Sequence, residues 1–151
     1  MNLIKNSFLV AVLLLPVMGA TAEEESDENL EVAMSYLKAM EIMDYSNALE
    51  LVEDNVEYIN GASPAVYGKD GILNTLQPFF EPIQENEFVI LRTATDGDVV
   101  FIERLDRHRI PQGWFELPVN SIFEVSNGKI TKWREYFDRA TIRDAMAELM
   151  Q

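Results

Sequence analysis

The chain contains no cysteine. That excludes a disulfide framework, thiolate metal sites, a cysteine nucleophile and a lipid anchor carried on cysteine. Histidine occurs once, as His108, and no His/Cys/Asp/Glu spacing of a metal site surrounds it, so no metal and no cofactor is expected. Basic residues are scarce: 12 Lys and Arg stand against 26 Asp and Glu, for a net charge of −14. Such a surface repels nucleic acid and anionic membranes. There is no G-x-S-x-G elbow, and the glycine-containing segments read as turns, not phosphate cradles. Long hydrophobic runs are also lacking. The longest, Phe8 to Met18, is broken by Pro16 and is shorter than the roughly 20 residues of a membrane span.

That short run follows Lys5 and precedes Ala20-Thr21-Ala22. A basic start, an apolar centre and an A-x-A site make residues 1–22 a secretory signal. Cleavage near Ala22 would leave residues 23–151 as a single domain, periplasmic or secreted, with no stable membrane anchor. The run Glu23 to Glu28 reads as a solvated leader into the first helix.

Apolar residues at Leu30, Ala33, Met34, Leu37, Met40 and Met43 predict an amphipathic helix over 29–43. Ser46 can cap a second short helix. A strand is expected at 56–60 and a helix at 71–80, limited by Pro82. Strands follow at 88–95, 99–109, 114–125 and 129–137, separated by Asp96-Gly97-Asp98, Pro111-Gln112-Gly113 and Asn127-Gly128. A helix over 140–149 closes the chain. Helices first and a meander later give an α+β class: a curved, mostly antiparallel sheet wrapped around N-terminal helices, enclosing a cone-shaped cavity.

Three places could carry chemistry. Arg104 and Asp106 share one strand face, because side chains alternate along a strand. Alone, such a pair is common on exposed sheets and worth little. Parity does not decide which face is buried, since Phe101 and Leu105 occupy the other. Tyr58 and Asn60 also share a face, and their hydroxyl and amide could hold a water. Equally, they could be a sheet-edge tyrosine and a turn asparagine before Gly61. Glu135 lies on one face with Trp133 and Phe137, and a partly desolvated carboxylate there is a usable base. A glutamate at the rim, paired with an arginine, is the plainer reading. Asp138 faces the other way by parity, and His108 falls on the Arg104/Asp106 face.

Four stretches, Tyr58-Ile59-Asn60, Pro64 to Asp70, Glu103-Arg104-Leu105-Asp106 and Gly128 to Asp138, resemble the limonene-1,2-epoxide hydrolase family of the nuclear-transport-factor-2-like (NTF2-like, SnoaL-like) superfamily. The resemblance runs from about Tyr36 to the end. It implies one-step addition of water to an epoxide, with Asp106 as acid, Arg104 as bridge, and Tyr58 and Asn60 holding the water with the base. The base falls on Glu135, where the family pattern has aspartate. It further implies a homodimer through the sheet and a hydrophobic substrate lined by Met40, Phe79, Ile83, Leu117, Val119, Trp133, Phe137 and Ile142. His108 stands where the family has an apolar wall residue. A ketosteroid isomerase or polyketide cyclase-like proton transfer, or a non-catalytic binder on the same fold, stays open.

Overall fold

The computed structural model describes residues 21–151; the expected signal segment falls outside them, apart from its last two residues. The acidic run is solvated, but it lies within the first helix and not ahead of it. Helix α1 spans Ala22–Glu41 and opens on a capping box, in which Thr21 N–H donates to Glu24 Oε2 (2.8 Å) and Glu24 N–H to Thr21 Oγ1 (3.2 Å). Glu23, Glu24 and Glu25 in the first turn and Lys38 in the last suit the helix dipole at both ends. Composition read this run as a leader ahead of the helix; the cap and dipole make it the first turns of the helix. Ala33, Tyr36, Leu37 and Met40 form the buried stripe.

Asp44, not Ser46, caps the second helix, α2 (Tyr45–Glu50), accepting from Asn47 N–H (3.2 Å). Strand β1 (Val52–Asn60) is longer than expected, and β2 (Val66–Tyr67) pairs with its end. Helix α3 (Gly68–Phe80) starts at Gly68, whose φ of 75° suits glycine. Then come β3 (Glu85–Asp96), β4 (Val99–Ile110), β5 (Gly113–Ser126), β6 (Lys129–Tyr136) and α4 (Arg139–Leu149). Asn127 and Gly128, with φ of 51° and 72°, turn β5 into β6. Asp138 caps α4, accepting from Ala140 N–H (2.8 Å), which accounts for it outside the site.

The sheet order is β2-β1-β6-β5-β4-β3. All pairs are antiparallel except β1 with β6, which run parallel. Register shifts in β3 and beside β5 and β1 mark irregularities of the kind that bend a sheet. The curved, unclosed sheet packs its inner face on α1. Burial alternates along β4, with Val100, Ile102, Arg104, Asp106, His108 and Ile110 turned inward. The face left undecided by parity is thus the buried one. The outer face carries exposed ion pairs, such as Arg107 with Glu116 and Glu87.

Candidate active site

Three neighbouring strands bring the polar groups together. On β4, Arg104 and Asp106 follow each other on the inner face at 2 % and 4 % exposure. Arg104 Nε donates to Asp106 Oδ1 (2.7 Å) and Nη2 to Asp106 Oδ2 (3.1 Å). The same Nη2 reaches Glu135 Oε1 on β6 (2.6 Å). One guanidinium nitrogen therefore touches both carboxylates. Between β4 and β6 lies β5, where Ser121 pairs in register with both Ile102 and Glu135. Its hydroxyl accepts from Arg104 Nη1 and donates to Glu135 Oε1 (2.8 Å).

Ser121 escaped the sequence reading, although a signal was present. The inward residues of β5 are Phe115, Leu117, Val119, Ser121, Phe123 and Val125. A lone hydroxyl in an otherwise apolar alternation needs a buried partner.

Tyr58 and Asn60 reach the site through the parallel pairing, which sets Tyr58 beside Trp133 and Asn60 beside Glu135. The Tyr58 ring stacks on Trp133 with centroids 4.1 Å apart. Gly61 N–H donates to the Glu135 carbonyl (2.9 Å) and Arg139 Nη2 to the Asn60 carbonyl (3.2 Å), fixing this strand end. Tyr36 of α1 completes the cluster, edge-on to Trp133 at 5.0 Å; its place on a helix gave no hint of this. The Oη atoms of Tyr36 and Tyr58, Asn60 Oδ1 and Trp133 Nε1 are buried without a partner among the described residues. Groups of this kind bond to water or ligand in stable structures.

Burial dominates the electrostatics. It opposes the charge of Arg104, but Glu135 and Asp106 outweigh it and hold the guanidinium charged. Burial pushes Asp106 up to about 6, against the pull of Arg104. Tyr36 and Tyr58 are raised by burial and then by Glu135, so both hydroxyls keep their protons as donors.

Asn60, Arg104, Asp106 and Glu135 line a cavity of about 90 Å³, whereas Tyr36, Tyr58 and Ser121 are not among its lining residues; a single water needs roughly 10–15 Å³. Met40, Phe79, His108, Leu117, Val119, Trp133, Phe137 and Ile142 also line the cavity, with Leu37, Leu76, Phe80 and Phe88. Ile83 does not. It follows α3 in a turn closed by its own N–H on the Phe80 carbonyl (3.0 Å) and packs into the core. A larger cavity of about 360 Å³ between α1, α2 and α3 shares Met40 and Leu76 with the first. It has no carboxylate or histidine among its lining residues; Arg104, Asp106, His108 and Glu135 all line the smaller one.

A curated relative, epoxide hydrolase EphG of Mycobacterium tuberculosis, is 42% identical over 52 residues, 34% of this chain and 35% of that protein. The match thus spans about a third of the curated relative's length. A solved M. tuberculosis LEH-like epoxide hydrolase superposes with a TM-score of 0.72 at 25% identity, covering 83% of this chain and 94% of the other. A putative SnoaL-like polyketide cyclase from Jannaschia sp. CCS1 gives a TM-score of 0.75 at 16% identity, covering 85% and 98%, which speaks for the fold alone. The family model of the limonene-1,2-epoxide hydrolase catalytic domain matches residues 27–148, nearly the whole described chain, and the protein belongs to that family.

Proposed function

We propose that the protein hydrolyses a small apolar epoxide to a vicinal diol in one step. The observation that carries this reading is the single buried guanidinium shared by Asp106 and Glu135, beside the unpartnered Tyr58 and Asn60 groups. Tyr58 and Asn60 hold a water against Glu135, which takes one of its protons as the oxygen attacks an epoxide carbon. The C–O bond of the ring breaks, and protonated Asp106 gives its proton to the departing oxygen. Both oxygens end in the diol and no bond to the enzyme forms. Resetting the site requires one proton to move from Glu135 to Asp106, and Arg104 bridges the two. The acid half fits the chemistry, because a carboxyl near 6 keeps a useful share of its proton close to neutrality.

The homodimer belongs to the same proposal. It is supported by Phe101 and Trp114, exposed on the outer sheet face among the charged pairs. Export rests on the segment 1–22 and is likewise proposed.

Diol formation from a panel of cyclic and aliphatic epoxides is the direct test. The rate at low substrate should fall as pH rises through about 6, because the acid is then lost. A rate that climbs through that range would assign Asp106 a basic role instead.

The Glu135 side chain, longer than the family's aspartate, is already seated on Arg104 and Ser121. Glu135→Asp draws the carboxylate back by a methylene and is expected to lower kcat by on the order of 10–10²-fold. Equal or higher turnover in that variant would mean that the pocket is not shaped around glutamate.

A further inference from the structure

We propose that His108 Nε2 accepts a hydrogen bond from the substrate, so that the epoxides taken by this site are apolar bodies carrying one hydroxyl or N–H group. The proposal deepens the epoxide reading and rests on it for the reacting end of the ligand only.

His108 lines the same cavity as Arg104, Asp106 and Glu135, and is 1 % exposed. Its Nδ1 lies 2.8 Å from the side-chain oxygen of Asn86, on the paired position of β3. With Asn86 oriented so, its carboxamide oxygen accepts from Nδ1–H and Nε2 carries a lone pair, while Asn86 Nδ2 is itself buried without a partner among the described residues. The ring stays neutral, since burial, helped by Arg104, pulls it down to about 4. Nε2 is buried and has no partner among the described residues.

Among the described residues, the rings around it supply none. Phe115, Phe79, Phe80 and Phe88 pack around the imidazole with centroids 5.1, 5.2, 6.2 and 6.2 Å away. None of these rings has an N–H or O–H to give. The β4 backbone here is committed to β3 on one side and β5 on the other. Arg104 is engaged with Asp106, Glu135 and Ser121. A lone acceptor in an aromatic cage selects a ligand donor embedded in an apolar frame.

The strand also sets the spacing. Asp106 and His108 are successive inward residues of β4, so their Cα atoms are about 7 Å apart. The donor should then lie several bonds from the epoxide oxygen, as in 4-(hydroxymethyl)cyclohexene oxide.

Two measurements test this. In the first, 4-(hydroxymethyl)cyclohexene oxide is compared with its isostere 4-ethylcyclohexene oxide on wild type and His108→Phe. The ratio of their kcat/KM values is expected to be about tenfold or more higher in wild type. An unchanged ratio overturns the proposal. The second needs no turnover. His108 is the only histidine in the chain, so ¹⁵N-histidine labelling gives a single imidazole to follow. Its spectrum should show the proton on Nδ1, and saturating cyclohexylmethanol, but not its methyl ether, should move the Nε2 resonance. A proton on Nε2, or no response to the alcohol, overturns the proposal. If the alcohol shifts Nε2 while no epoxide is opened, the acceptor site stands and the hydrolase reading falls.

Discussion

Asp106→Asn should lower diol formation by about 10²–10⁴-fold, the usual worth of a positioned general acid. Asparagine matches aspartate in shape and can still accept from Arg104 Nε, but has no proton of the required acidity to give. Its amide nitrogen would face Arg104 Nη2, now 3.1 Å from Asp106 Oδ2, donor against donor. The loss should fall on kcat more than on KM, because the apolar lining that binds the substrate is untouched. The decline in rate above about pH 6 should also vanish from the residual activity. That second readout separates loss of the acid from a disturbed pocket, which would lower the rate and leave the pH profile in place. Matching circular dichroism and thermal unfolding would establish that the variant is folded.

Arg104→Met should cost about 3–5 kcal/mol of stability near pH 8, measured by urea unfolding. Among the described residues, the guanidinium is the sole cation bonded to Asp106 and Glu135, and it also bonds Ser121. Methionine fills the space but leaves two carboxyls buried without a counter-charge. Such a pair holds protons in the folded state that the unfolded chain releases, so stability falls as pH rises. The deficit should therefore shrink on going from pH 8 to pH 5. A deficit independent of pH would point to packing alone. Replacing the whole set, Arg104→Met with Asp106→Leu and Glu135→Met, should recover most of the stability and none of the activity. Buried ion networks are often no more stabilising than apolar side chains of similar volume. The set is then there for chemistry, not for the fold.

Much of the architecture was legible from local patterns. The turn residues Asp96-Gly97 and Asn127-Gly128, the alternation along β4 and β5 and the stripe of α1 each follow from a few neighbouring side chains. The acidic run was rightly read as solvated but wrongly as a leader, because Thr21 and Glu24 reciprocally close a first turn that composition does not show. Ile83 was assigned to the cavity by position alone, and the turn after α3 carries it into the core. Tyr36 and Ser121 were missed because each looks ordinary on its own element, a helix stripe and a strand face. Their meaning depends on what lies across from them.

By itself, the sequence determined that Arg104 and Asp106 share a face, that Tyr58 and Asn60 share another, and that Glu135 stands with Trp133. Strand parity is a local property, set by alternation every second residue. Which face of β4 is covered was not determined, since both faces mix apolar and charged residues. Tertiary structure decided it by laying α1 against the inner side of the sheet. It also decided the parallel register of β1 on β6, which sets Asn60 beside Glu135 across a long stretch of intervening chain. That pairing, and the insertion of Ser121 on β5 between Arg104 and Glu135, turns three local pairs into one site. Contacts of this kind form between elements remote in sequence, and no neighbouring residues encode them.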